Sequence, residues 1–390
     1  MNKMNVVIGQ SGGPTPVINA SLRGAVEKAL KHDQVGSVYG TPNGLQGILN
    51  HKLIRLNEKL PEICKASEQP GAILGTSRHP LAEEEYAKII DELERVNAKI
   101  FCYIGGNGSS RTVLALHRYA SAMGKDIRFV HVPKTIDNDL DGTDHCPGYG
   151  SASKFLSHTV QLFAADMLSL QTVSKVEIIE VMGGNRGWLP AASALFKKQE
   201  TDYPDLVYLP DHPIDADAFL ADVDNTFSSK GRSIIVIVPD HMKVNDLAKD
   251  PYATEDPIRG HNAGIGFRLS QHINRQLKIP TRVTVPNSLF RIASGFVSRI
   301  DYQESLLLGD KAIDYALAGY SGGMVTLERQ SSSPYVSRVQ WAQLDDFAGK
   351  EKTFPTSYWD ASRHMPTPAF IDYLLPLIDQ EEPGLVFSLN

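Results

Sequence analysis

Cysteine is scarce: Cys64, Cys102 and Cys146 are the only three in 390 residues, far apart and odd in number. That scarcity argues against a disulfide framework or a zinc knuckle and fits a reducing cytoplasm. The histidines are scattered, with no HExxH and no Cys/His ligand spacing, and His145 and His241 read as structural or loop residues. No apolar run reaches the ~18–20 residues that span a bilayer, which predicts no membrane partner. Basic residues are not in excess. The net charge of −6 gives no hint of binding to nucleic acid. The start, MNKMNVVIGQSGG, passes from one lysine straight into a strand and predicts no signal peptide. Walker A is missing. So is a GxGxxG followed by an acid about 20 residues on, which sets aside a dinucleotide-dependent oxidoreductase.

What is present is a repeating alternation. A chain of this length is expected to form two domains. Strand-like runs occur at 5–9, 99–105, 127–132, 175–182, 205–209, 233–239, 281–286 and 323–328. Most are nearly continuous in apolar residues, as in parallel sheets buried on both faces. Between them lie amphipathic segments. In residues 83–98, Tyr86, Ile89, Ile90 and Leu93 share one helical face. The pattern predicts an α/β protein with parallel sheets, and the Gly-rich stretch at 147–151 marks a boundary between two of them. In such folds sites form at the carboxyl ends of strands.

The chemistry-bearing motifs fall at those ends. In GQSGGPTPVINASLRGAV, Gly12 and Gly13 allow close backbone approach ahead of a helix, a setting suited to phosphate or to a plain tight turn. YIGGNGSSRTVLAL repeats the device with Gly105, Gly106, Gly108 and Ser109, which strengthens the phosphate reading. GTSRHP offers Arg78 as a forked phosphate clamp or a solvated surface charge. VPKTIDNDLDGTDHCPGYG sets Lys134 and Thr135 before Asp137, Asp139 and Asp141. This is either an Asx-rich turn or a place where one carboxylate takes a proton and another holds a hard cation. Lys175, Arg186, Arg282 and Arg291 are candidates to surround an anionic substrate, although each alone is an ordinary surface charge.

Together, the core motif PKTIDND and its order relative to QSGG, GGNGS and EVMGG resemble the phosphofructokinase family, from Gly9 to about Gly322. The segments NGLQGIL, CPGYGSASK and RGWLPAA resemble its bacterial pyrophosphate-type branch in particular. The resemblance implies two Rossmann-like parallel-sheet domains with the active site in the cleft between them. Residues 1–150 plus about 291–345 would form the donor-phosphate domain, and 151–290 plus about 346–390 the fructose 6-phosphate domain. It implies phosphoryl transfer to the 1-hydroxyl of fructose 6-phosphate in glycolysis, Mg²⁺, a cytoplasmic location and a homodimer or homotetramer.

It also implies roles. Asp137 matches the general base, Thr135 a substrate contact, Lys134 a phosphate-neutralising cation and Asp139 an acid beside the metal. Gly12, Arg78, Gly106, Gly108 and Ser109 match the donor-phosphate region. Lys175 matches a basic residue reaching the sugar phosphate of a neighbouring subunit. Met182, Gly183 and Gly184 match a substrate-binding turn, Asp240 an acidic sugar contact, and Arg282, Ser288 and Arg291 the sugar-phosphate end. Several positions depart from the pattern. Asn107 stands at a metal position where many members have Asp, Gly184 where a basic residue is common, Ser288 where His or Tyr is frequent, and Asp240 in place of Glu. Lys134 is typical of pyrophosphate users. Gly108, however, replaces the Asp that in those enzymes would repel a nucleotide, and this tips the expected donor to MgATP. Pyrophosphate is the alternative, and a catalytically inactive regulatory relative a further one.

Overall fold

The computed structural model describes residues 3–78, 80–170, 172–247 and 264–379. The chain forms two compact units, residues 1–152 with 291–352, and residues 153–290 with 353–390. In chain order the main elements begin with β1 (Met4–Gln10), α1 (Ile18–Lys31), β2 (Val35–Thr41) and β3 (Ile54–Arg55). There follow α2 (Tyr86–Arg95), β4 (Ala98–Gly105), α3 (Asn107–Ala122), β5 (Arg128–Pro133) and α4 (Tyr149–Ser169). Next come β6 (Val176–Val181), β7 (Leu206–Val207), α5 (Ala216–Lys230), β8 (Ile234–Pro239), α6 (Ile265–Gln276) and β9 (Thr281–Thr284). The last are α7 (Arg299–Leu317), β10 (Gly323–Ser332) and β11 (Tyr335–Gln343).

The first unit is built on a seven-stranded sheet of order β11-β10-β5-β4-β1-β2-β3. The five strands from β10 to β2 are parallel, and β11 and β3 close the edges antiparallel. Alternation of side chains explains the continuous apolar runs. Val6, Ile8, Ile100 and Cys102 pack on one face with Leu22 and Val26 of α1 and Leu308 of α7. Val7, Phe101 and Phe129 pack on the other with Ile89, Ile90 and Leu93 of α2 and Leu116 of α3. Helices α1 and α7 cross at glycines. A Cβ added at Gly24 would stand 2.0 Å from the Leu306 carbonyl oxygen, and one at Gly309 2.0 Å from that of Ser21. The second unit carries an all-parallel four-stranded sheet, β9-β6-β8-β7. Its core joins Val176, Ile178, Val236 and Val238 to Phe219 and Val223 of α5 and Leu269 of α6.

The α/β class with parallel sheets is thus as the alternation predicts, and the helix read at 83–98 is α2 preceded by a 3₁₀ turn over Glu83–Glu85. Three of these strands escape the sequence reading, among them β3, which is only two residues long. VGSVYGT (β2) hides behind two glycines, and β11 is an edge strand whose exposure alternates with solvent. No helix among the described residues is long and apolar enough to cross a membrane.

Candidate active site

The chain leaves β1 through Ser11 and a glycine turn. Gly12 takes φ +73°, a left-handed conformation open to glycine at little cost. Its N–H donates to the Ser77 carbonyl at 3.2 Å, which ties this turn to the loop carrying Arg78. At the exit of β4 the second glycine turn opens α3. A Cβ on Gly105 would meet Ser109 Oγ at 2.0 Å, so that position has no room for a side chain. Ser109 Oγ donates to Ser11 Oγ at 2.9 Å, and both serines are buried. One hydroxyl bond thereby links the two glycine turns, a pairing that neither motif reveals alone. Gly108 differs from its neighbours: a Cβ there would meet no atom within 4 Å.

Lys134 leaves β5 and turns back toward the first glycine turn. Its Nζ donates to the Gly13 carbonyl at 2.6 Å, and its backbone N–H donates to the Gly105 carbonyl at 2.9 Å. An atom built as Cβ on Gly13 would lie 3.3 Å from an Arg291 guanidinium nitrogen and 3.9 Å from one of Arg78. Three cations therefore converge on Gly12–Gly13. The resemblance assigns Arg291 to the sugar phosphate; the structure sets it in the first unit beside the donor-type glycine turn. Burial pushes the Lys134 ammonium down to about 8, against the pull of Asp137 and Asp139, and the charges of Arg78 and Arg291 lower it further. The cation is lost as pH rises through that value. kcat/KM for the donor is therefore expected to decline above pH about 8 in the wild type, and Lys134→Arg to shift that alkaline limb upward because a guanidinium stays charged. An identical limb in the arginine variant would show that Lys134 is not its source.

The acid-bearing turn follows directly. The Asp137 N–H donates to Thr135 Oγ1 at 3.1 Å, and Thr135 N–H donates to the Pro147 carbonyl at 3.1 Å. Asn138 is fully buried at φ +53°, and its Oδ1 accepts the Cys146 N–H at 3.0 Å. An asparagine tolerates this left-handed position better than most residues, and it separates Asp137 from Asp139. The Asp139 carbonyl accepts from Asn107 Nδ2 at 3.2 Å and from the Lys352 N–H at 2.8 Å. Burial raises the Asp139 carboxyl above its ordinary range, and the charge of Glu351 adds to this. Asn107 Oδ1 and Asp139 Oδ1 are both enclosed and have no hydrogen-bond partner. Two orphaned oxygens in contacting residues suit a hard, oxygen-seeking cation such as Mg²⁺. Lys352 and Glu351 lie beyond every motif; a sequence signal for them is missing because the groups they act on are some two hundred residues away in the chain.

In the second unit the predicted residues form two groups. Met182, Gly183 and Gly184 follow the end of β6, and the Asp240 N–H, at the end of β8, donates to the Val181 carbonyl at 2.8 Å. Gly184 has φ +65°, so the turn itself favours glycine at the position where the resemblance makes a basic residue common. His241 Nε2 stands 3.9 Å from Asp240 Oδ1. Ser288 is exposed in the turn after β9. Lys175 and Arg282 sit at the other end of this sheet. Lys175 immediately precedes β6, and Arg282 pairs in register with Glu177. At ~3.3 Å per residue, Met182 lies roughly 17–23 Å along the strand from these positions. Arg282 is also engaged: Nε donates to Glu177 at 2.9 Å and a terminal nitrogen to Asp166 at 2.7 Å. The structure therefore does not bring Lys175 and Arg282 together with Asp240 in one copy of the sheet.

A concentrated positive charge beside a buried acid, at the exits of parallel strands, meets the needs of phosphoryl transfer, in which positioning and electrostatics carry the reaction. The fold and site define an α/β phosphotransferase. The phosphofructokinase family model matches residues 5–316. Pyrophosphate–fructose 6-phosphate 1-phosphotransferase from Rhodospirillum rubrum is 34% identical, over 98% of this chain and 96% of its own length. The enzyme of the same name from Halomonas elongata is 32% identical, over 98% and 93%. The crystal structure of a pyrophosphate-dependent phosphofructokinase from Marinobacter aquaeolei superposes with a TM-score of 0.87 at 32% identity, covering 96% of this chain and 91% of that one. The chain belongs to the phosphofructokinase family.

Proposed function

We propose that the enzyme transfers a phosphoryl group from pyrophosphate to the 1-hydroxyl of fructose 6-phosphate. The observation that carries this reading is the convergence of Arg78, Arg291 and Lys134 on Gly12–Gly13, Lys134 coming from the exit of β5 that continues into Thr135–Asp139. Three cations match the charge of a diphosphate, and Asp137 is the base that accepts the proton of the attacking hydroxyl. Thr135 holds the backbone of that base. The relatives' names shift the expected donor away from the MgATP favoured by the motif reading. Asn107 and Asp139 would hold Mg²⁺ together with phosphate oxygens of the donor. Bound there, the ion would supply further neutralisation of the developing charge. The acceptor side comprises Met182–Gly184, Asp240 and Ser288. Lys175 and Arg282 fit a sugar site on a second copy of the chain, which makes the enzyme a homo-oligomer.

One observation favours a second reading, with ATP as donor: the open space around Gly108, where no side chain would obstruct the rest of a nucleotide. Purified enzyme assayed with fructose 6-phosphate, Mg²⁺ and each donor in turn decides between them. Turnover with pyrophosphate and none with ATP is the expected outcome; ATP alone would reverse the donor and leave the reaction class standing. If ATP is used, Gly108→Asp is expected to depress that activity at least tenfold more than the pyrophosphate activity, since the added carboxylate meets only the nucleotide. Equal losses with both donors would refute the steric account.

A further inference from the structure

Behind the acid-bearing turn lies a buried ion cluster to which no motif assigns a role. His145 is 2% exposed. Its Nδ1 lies 2.8 Å from Asp144 Oδ2 and its Nε2 2.6 Å from Glu304 Oε2, on α7. A neutral imidazole donates from one nitrogen only, and an ionised carboxylate only accepts. One proton must therefore be added, to the ring or to a carboxylate. Both carboxylates have other donors that favour their ionised form. Glu304 Oε1 accepts Tyr335 OH at 2.6 Å and Ser337 Oγ at 2.5 Å, both from β11. Asp144 Oδ2 accepts from Arg329 of β10 at 3.0 and 3.2 Å. The proton falls to the ring. The remaining charges facing this pocket are the Asp301 carboxylate on α7 and the Lys352 ammonium, which donates to the Thr143 and Asp144 carbonyls.

The cluster is mechanically continuous with the catalytic turn. Cys146, the residue after His145, donates its N–H to Asn138, and Pro147 accepts from Thr135. Asn138 is the residue between Asp137 and Asp139. Thr143 exchanges hydrogen bonds with Leu327 of β10 on the other side. We propose that His145, held as an imidazolium between Asp144 and Glu304, is a positioning residue that anchors residues 143–148 to α7 and the β10–β11 hairpin. It thereby fixes the geometry of Asp137 and Asp139. Burial opposes the ring's charge, but Glu304 and Asp144 outweigh it and raise the imidazole to about 9. The anchor is thus complete at neutral pH and weakens only as pH rises through that value. The residue acts through the turn and does not touch the reacting atoms.

This inference rests on the proposed phosphoryl transfer for its kinetic readout, and it has a second readout that does not. In wild-type enzyme labelled with ¹⁵N-histidine, one ring is expected to carry protons on both nitrogens at pH 7.5. That signal should titrate well above the others and disappear in His145→Gln. Glu304→Gln is expected to bring the same titration down toward the ordinary imidazole range. For His145→Gln, kcat should fall ~10- to 100-fold, the scale of a misplaced catalytic group, while KM for donor and acceptor stays within about threefold. A neutral His145 ring at pH 7.5 overturns the proposal whatever the activity. So does a folded His145→Gln enzyme with wild-type kcat, or one in which KM rises as much as kcat falls. A wild-type enzyme inert toward fructose 6-phosphate would strike the proposed acceptor instead, and the ring measurement would then decide this inference by itself.

Discussion

Replacing Asp137 by Asn is expected to lower kcat by ~10²–10⁴, the usual worth of a positioned general base, with KM for both substrates changed by less than about threefold. The substitution is nearly isosteric and leaves the backbone N–H that donates to Thr135 Oγ1 at 3.1 Å in place. The cations around Gly13, proposed to bind the donor, are also untouched. What disappears is the only step in which the carboxylate differs from an amide, acceptance of the sugar hydroxyl's proton. Initial rates across both substrates, with circular dichroism to verify the fold, give the measurement. A variant retaining more than a tenth of wild-type kcat would remove Asp137 from the base role, and a selective rise in the sugar KM would make it a binding residue instead.

The second large effect is on stability. Gly309→Ala is expected to destabilise the first unit by about 3 kcal/mol, at the upper end for overpacking. The added methyl group would lie 2.0 Å from the Ser21 carbonyl oxygen and 2.9 Å from the Ala25 nitrogen, so it meets backbone that cannot rotate away. Helices α1 and α7 would have to separate, loosening Leu22 and Leu308 from the sheet. Differential scanning calorimetry should show a fall in the apparent Tm of roughly 6–12 °C. A shift below about 2 °C would mean that the two helices slide past each other more readily than their close approach implies. The same reasoning applies to Gly24, whose added methyl group would strike the Leu306 carbonyl.

The sheet strands and the turns carrying chemistry were legible because the physics that forms them is local. A strand buried on both faces writes itself as a run such as IFCYI or IIVIV, and a turn requiring φ > 0 writes itself as glycine or asparagine. Gly12 and Gly184 illustrate this. What stayed hidden depends on partners distant in sequence. Nothing near Arg291 announces that it meets Gly13, and nothing near Arg282 announces Glu177 and Asp166. The edge strand β11 and the segment ending at Lys352 lack any motif, yet Ser337 bonds Glu304 and Lys352 bonds the Asp139 carbonyl behind the acid-bearing turn. His145 read as a structural or loop residue, but its partners stayed hidden because they are an immediate neighbour, Asp144, and a helix residue 159 positions away.

The order in which the chain leaves the ribosome gives the first sheet a vulnerable interval. Strand β5 pairs with β4 on one side, and its other flank is covered by β10, which begins at Gly323. Nearly two hundred residues must be synthesised between those two events. During that time the apolar β5 presents open backbone amides and carbonyls, a template for pairing with another nascent chain. Truncated products ending before Gly323 are the forms of this protein in which that flank would never be covered.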